Sequence, residues 1–165
     1  METLLAIGYT AFFSFIIMKW KWFMDEKINA IYFISLFAVK VLIGILASEL
    51  YLYKYDGGDS YHFFLFSKTI TQSFVKSPID FITMVTGVGN DEAFMKVHGK
   101  ILGWNNNDIV YNDNRTILRL NGLIGLFSMG YYYVHIVFFS FLSMLGLTGI
   151  YKAARLLTDR NPIYF

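Results

Sequence analysis

The 165-residue chain is 56% hydrophobic, 19% aromatic and only 16% charged, with a mean hydropathy of +0.47. That balance excludes an ordinary soluble domain, and a formal charge of +2 is too small for a nucleic-acid binder. With no cysteine, disulfides and thiolate metal sites are excluded. Met1-Glu2-Thr3 carries no positive side chain and no clean small-residue cleavage site follows, so the first apolar run is not expected to be a signal peptide.

A helix takes roughly 20 mostly apolar residues to cross about 30 Å of hydrocarbon. The first predicted span runs from Leu4 to Met18, or to Phe23 if Lys19 and Lys21 extend their heads to the interface. The second runs from Ile28 to Tyr51, with Lys40 near its middle. The next segment is long and polar yet holds eight aromatic residues from Tyr61 to Trp104, so it is not a flexible linker. Asp59 or Ser60 is expected to cap a helix running to Val75, with Phe63, Phe66, Ile70 and Phe74 on its apolar face. Pro78 starts a second helix, through Val85, and Gly87-Val88-Gly89-Asn90 breaks it. A third is expected from Asn90 or Asp91 to Leu102, followed by a turn at Asn105–Asp108.

Ile117–Met129 reads as a shallow or re-entrant helix, and Tyr131, Tyr132 and Tyr133 as an interfacial belt. The third span is expected from Tyr132 to Tyr151; one long tilted helix through both pieces is the alternative. The fold class is thus an all-α membrane protein with about three transmembrane helices and amphipathic surface helices in one long outer loop. Residues 1–51 hold two spans, 52–130 the loop, and 131–165 the third span and a tail. The final Asn161–Phe165 reads as a loop entering another span, as in the N-terminal part of a longer protein.

Lys19, Lys21 and Lys27 lie between spans one and two, and Lys152, Arg155 and Arg160 follow span three. The positive-inside rule makes both segments cytoplasmic. The N-terminus and residues 52–119 then face the other side.

Four features are candidates for chemistry. In Tyr55-Asp56-Gly57-Gly58-Asp59-Ser60-Tyr61-His62, two carboxylates flank paired glycines. Asp56 and Asp59 suit a hard divalent cation such as Mg or Mn, or a general base for an acceptor hydroxyl; an ordinary turn with Asp59 as helix cap is the plainer reading. Arg115 and Arg119, four apart on one helical face, suit a phosphate group, or else anchor the helix to lipid or pair with Asp108 or Asp113. Lys40 is an intramembrane charge and so a candidate polar site, or the partner of an acid on another span. His135 is a hydrogen-bonded interior residue or part of the same polar path. His62 and His98 lack ligand spacing, and no Walker, HExxH or GxSxG motif is present.

The segments YDGGDSYHFF (Tyr55–Phe64) and RLNGLIGLFSMGYYY (Arg119–Tyr133) resemble the N-terminal portion of GT-C glycosyltransferases. These are multi-span membrane enzymes that use polyprenyl-phosphate-linked sugars. The resemblance implies that Asp56 or Asp59 is the acceptor-activating or metal-binding carboxylate, and that Arg115 and Arg119 hold the lipid-linked phosphate. The chain departs from that pattern in having few spans and in placing the acidic loop after the second. The expectation is glycosyl transfer at the outer face of a bacterial inner membrane. The alternatives are a non-catalytic envelope-complex subunit using Gly122, Gly125, Gly146 and Gly149 for helix contacts, and an oligomeric transporter using Lys40 and His135.

Overall fold

The computed structural model describes residues 1–25, 28–55, 57–88 and 115–160. Among them are six helices and no strand: α1 (Glu2–Lys19), α2 (Ala30–Tyr55), α3 (Gly58–Lys76), α4 (Pro78–Thr86), α5 (Arg115–Ser128) and α6 (Tyr132–Arg160). The helix expected to end at Leu102 and the turn at Asn105–Asp108 lie outside the described residues.

Three helices, α1, α2 and α6, are long and apolar enough to cross a membrane, with mean hydropathies of 1.3, 2.4 and 1.8. At 1.5 Å per residue, the shortest extends about 27 Å. In α1 and α2 only 17% of the apolar window is buried, against 39% in α6, so α6 is the inner helix of the three. Leu4, Ile7, Leu42, Ile43 and Leu46 are all more than half exposed, a surface suited to hydrocarbon rather than water. The third span is therefore a helix of its own, and it extends beyond the expected end at Tyr151.

The chain divides into two compact units, one of Met1–Ala47 with Ile136–Phe165 and one of Ser48–His135. The first is held by aromatic rings. Phe13 of α1 stacks on Phe141 of α6 at 4.3 Å and meets Phe138 edge-on at 4.9 Å. Phe37 of α2 and Phe23 of the α1–α2 turn, both fully buried, close on the same Phe141. At the end of this bundle, Asp25 of the turn accepts from Arg155 of α6 at 2.6 Å, with the Asp25 side chain only 4% exposed. Lys152 lies over the Trp22 ring, so the two basic segments meet at one end. Asn29 opens α2 by accepting the Ile31 N–H.

In the second unit α3 packs on α4 and α5 around Ile70, Phe81, Met84 and Leu118. Of the expected Phe63–Phe66–Ile70–Phe74 face of α3, Ile70 is fully buried, Phe63 and Phe66 pack partly buried against the same core, and Phe74 meets Phe81 while remaining exposed; Phe64, Ser67 and Ser73 are buried beside it. Ser67 and Ser73 turn their hydroxyls onto the Phe64 and Ile70 carbonyls, so both are buried with their polar atoms satisfied within α3. Opposite α3, a Cβ on Gly122 would fall 2.7 Å from Ile70, and one on Gly125 would collide with Thr71. Thr71 Oγ1 also donates to the Gly122 carbonyl at 3.1 Å. Gly122 and Gly125 are thus consumed within the chain, not offered to a partner.

Pro78 starts α4 after a Ser77 cap, as expected. Between α5 and α6 the backbone turns left-handed at Met129 (φ 53°) and Gly130 (φ 77°), which separates the two helices. The tyrosines near this break and at the end of α2 differ in burial. Tyr132 is buried against Tyr61 and Phe64, and Tyr133 donates to Glu49, whereas Tyr51, Tyr53 and Tyr55 at the end of α2 are exposed.

Candidate functional site

The glycine pair after α2 sets up the acidic motif. Gly57 takes φ +97° and caps α3 through its backbone, where a Cβ would press on Tyr61 at 2.5 Å. Gly58 takes φ +60° beside Tyr51. Both glycines are required by the left-handed reversal itself. Asp59 is not the expected cap. It sits exposed in the first turn of α3, where a carboxylate is favoured by the helix dipole, and it bonds to no described residue. Ser60 bonds instead to the Tyr132 hydroxyl at 3.0 Å. His62 Nδ1 donates to the Gly58 carbonyl at 2.8 Å, which commits that ring to the helix start. Asp56 lies outside the described residues. Among the described residues no three His, Cys, Asp or Glu side chains gather as a metal site.

Arg119 leans from α5 onto the C-terminus of α4. Its Nε donates to the Met84 carbonyl at 3.1 Å, and its guanidinium fills the space where a Gly87 side chain would stand. A cation at a helix C-terminus opposes the partial negative charge there. The Nη atoms have no further described partner. Arg115 opens α5, its side chain lying outside the described part, as do Asp108 and Asp113.

His135, in the first turn of α6, is 2% exposed and joins two turns of α5. Its Nδ1–H donates to Asn121 Oδ1 at 2.9 Å, and Ser128 donates to its Nε2 at 2.8 Å. Asn121 in turn donates to the Ile117 carbonyl, and the Gly130 N–H donates to Ser128 Oγ. Every polar atom of this buried set is satisfied, which makes it a latch across the Met129–Gly130 break. Beside it lies a cleft of about 360 Å³ lined by Phe64, Lys68, Thr71, Gln72, Met129 and His135, among others. Lys68 rests its ammonium over the Phe64 ring at 4.5 Å. The cleft was not anticipated, although Phe64 and Lys68 stand one helical turn apart. The spacing of Asn121 and Ser128, seven apart on an apolar face, was the available signal for the latch.

Lys40 is half-buried in α2 and makes no hydrogen bond, ion pair or ring contact with a described residue. Its sequence neighbours on both sides, Phe37 to Val39 and Val41 to Ile43, are apolar.

No family model, curated protein or solved structure matches this chain. The functional reading therefore rests on these residues.

Proposed function

We propose that the chain is an integral membrane protein that transfers sugar from a lipid-linked phosphate to an acceptor hydroxyl at the outer face of a bacterial inner membrane. Asp59 carries the reading: an exposed carboxylate with no described partner, directly after an apolar helix of spanning length. In that reaction Asp59, or Asp56, takes the proton of the acceptor hydroxyl as its oxygen bonds to the anomeric carbon. The bond from that carbon to the phosphate oxygen breaks. The charge left on the lipid phosphate is met by Arg115 and by the Nη atoms of Arg119. Binding of Mg or Mn is the other use of the two carboxylates. The meeting of Trp22 with Lys152 and of Asp25 with Arg155 supports one basic end, assigned here to the cytoplasm.

Because Arg119 also holds α4, its loss is a poor test, and Asp59 is the better one. Mass spectrometry of protein purified in mild detergent is expected to find a bound polyprenyl phosphate. Asp59→Asn is expected to leave that lipid bound while abolishing sugar transfer from it. Stoichiometric partner proteins without such a lipid would overturn the reading. They would favour a non-catalytic subunit, a role that Lys40, charged within an apolar helix, independently supports through an acid-bearing helix of a partner.

A further inference from the structure

We propose that the Lys68 cleft binds a phosphate ester anion. Every hydroxyl and ring nitrogen in its walls is already committed. Ser67 donates to the Phe64 carbonyl, Thr71 to the Ser67 and Gly122 carbonyls, and His135 uses both nitrogens in the latch. The donors left to spare are the Lys68 ammonium and the exposed Gln72 amide. Among the described residues no acid lines the cleft, and the formal charge they bring to it is the positive one of Lys68. The face of Phe64 stabilises that ammonium less than pairing with an anion in a half-buried site would. A lysine is a compact point charge suited to phosphate, whereas a carboxylate is better matched by the planar fork of arginine. The volume is within the range of small-ligand sites, roughly 300–1,000 Å³, and exceeds what a bare phosphate needs. The remaining walls, Phe64, Gly125 and Met129, suit the carbon portion of an ester. Cleft and start of α6 coincide through His135, which sets the site at the end of a spanning-length helix, where phospholipid head groups lie. The inference is independent of glycosyl transfer, since it uses neither Asp59 nor Arg119.

The test is titration of the full chain in a neutral maltoside detergent with dihexanoyl-phosphatidylglycerol and, separately, inorganic phosphate, followed by isothermal calorimetry. The phosphatidylglycerol is expected to bind at one saturable site. Lys68→Gln is expected to weaken it about tenfold, the worth of one charge-assisted hydrogen bond, while Lys68→Arg retains most of it. Equally tight binding of inorganic phosphate, lost in Lys68→Gln, would show that the cleft holds the phosphate group alone and would overturn its assignment to an ester. Should Lys68→Gln fail to fold, Gln72→Ala, on the exposed side of the same cleft, is expected to weaken binding several-fold. Absence of saturable binding by either probe, or undiminished binding by a folded Lys68→Gln protein, overturns the proposal.

Discussion

His135 shows how one polar side chain fixes a backbone break. The left-handed residues Met129 and Gly130 leave α5 and α6 joined only by a short turn, and the imidazole ties Asn121 and Ser128 across it. Removing the ring strands two buried polar groups, each costing about 1–3 kcal/mol. His135→Ala is therefore expected to lower the unfolding free energy by about 2–4 kcal/mol, as read from denaturant unfolding in detergent, while Tyr131→Phe next to the break changes little. Gly125 gives a second residue-level prediction. Gly125→Ala is expected to cost about 1–3 kcal/mol by pushing α5 off Thr71, and adding Thr71→Ala is expected to recover most of that loss. Equal destabilisation with and without the Thr71 change would show that the helices do not cross closely there.

Among the elements, α4 depends on a residue far along the chain. Its Met84 carbonyl accepts from Arg119, and Gly87 leaves room for the guanidinium. Arg119→Met keeps the stem and removes the charge; it is expected to free the end of α4 at a cost of about 1 kcal/mol, seen as faster proteolysis near Gly87. Unchanged proteolysis would mean that the cap is immaterial. The long apolar runs, the Pro78 start and the Gly130 break were legible because composition, a fixed φ and a glycine act locally. The inner face of α3 was legible in part: Ile70 is buried and Phe63 and Phe66 pack against the core, but apolar periodicity gave no reason for Ser67 and Ser73 to be buried as well. The close contact of Ile70 and Thr71 with Gly122 and Gly125, about fifty residues later, was likewise invisible to local periodicity. At the candidate site the sequence singled out Asp59 and Arg119 by residue type. It gave no hint that Arg119 caps a helix, or that Lys68, Thr71 and Gln72 share a cleft, since those facts arise only from packing.

At the scale of the whole molecule, the apolar bundle places its basic segments together. The absence of cysteine makes this directly testable. Single cysteines at Lys21 and Lys152 are expected to react with an impermeant maleimide only after cells are opened, and one at Ser60 to react in intact cells. The reverse pattern would invert the proposed orientation. Within the bundle, Asp25→Asn leaves Arg155 without its nearly buried counter-charge and is expected to destabilise by about 1–3 kcal/mol, measured by thermal unfolding in detergent. That ion pair joins residues 130 positions apart, and the rings of Phe13, Phe23 and Phe37 likewise converge on Phe141. A ribosome releases the N-terminal half of this arrangement long before the other half exists. During synthesis the first two helices therefore wait as an unfinished hairpin, with an aromatic socket unfilled and Asp25 without Arg155. The interval before α6 emerges is when the nascent chain is most open to quality control.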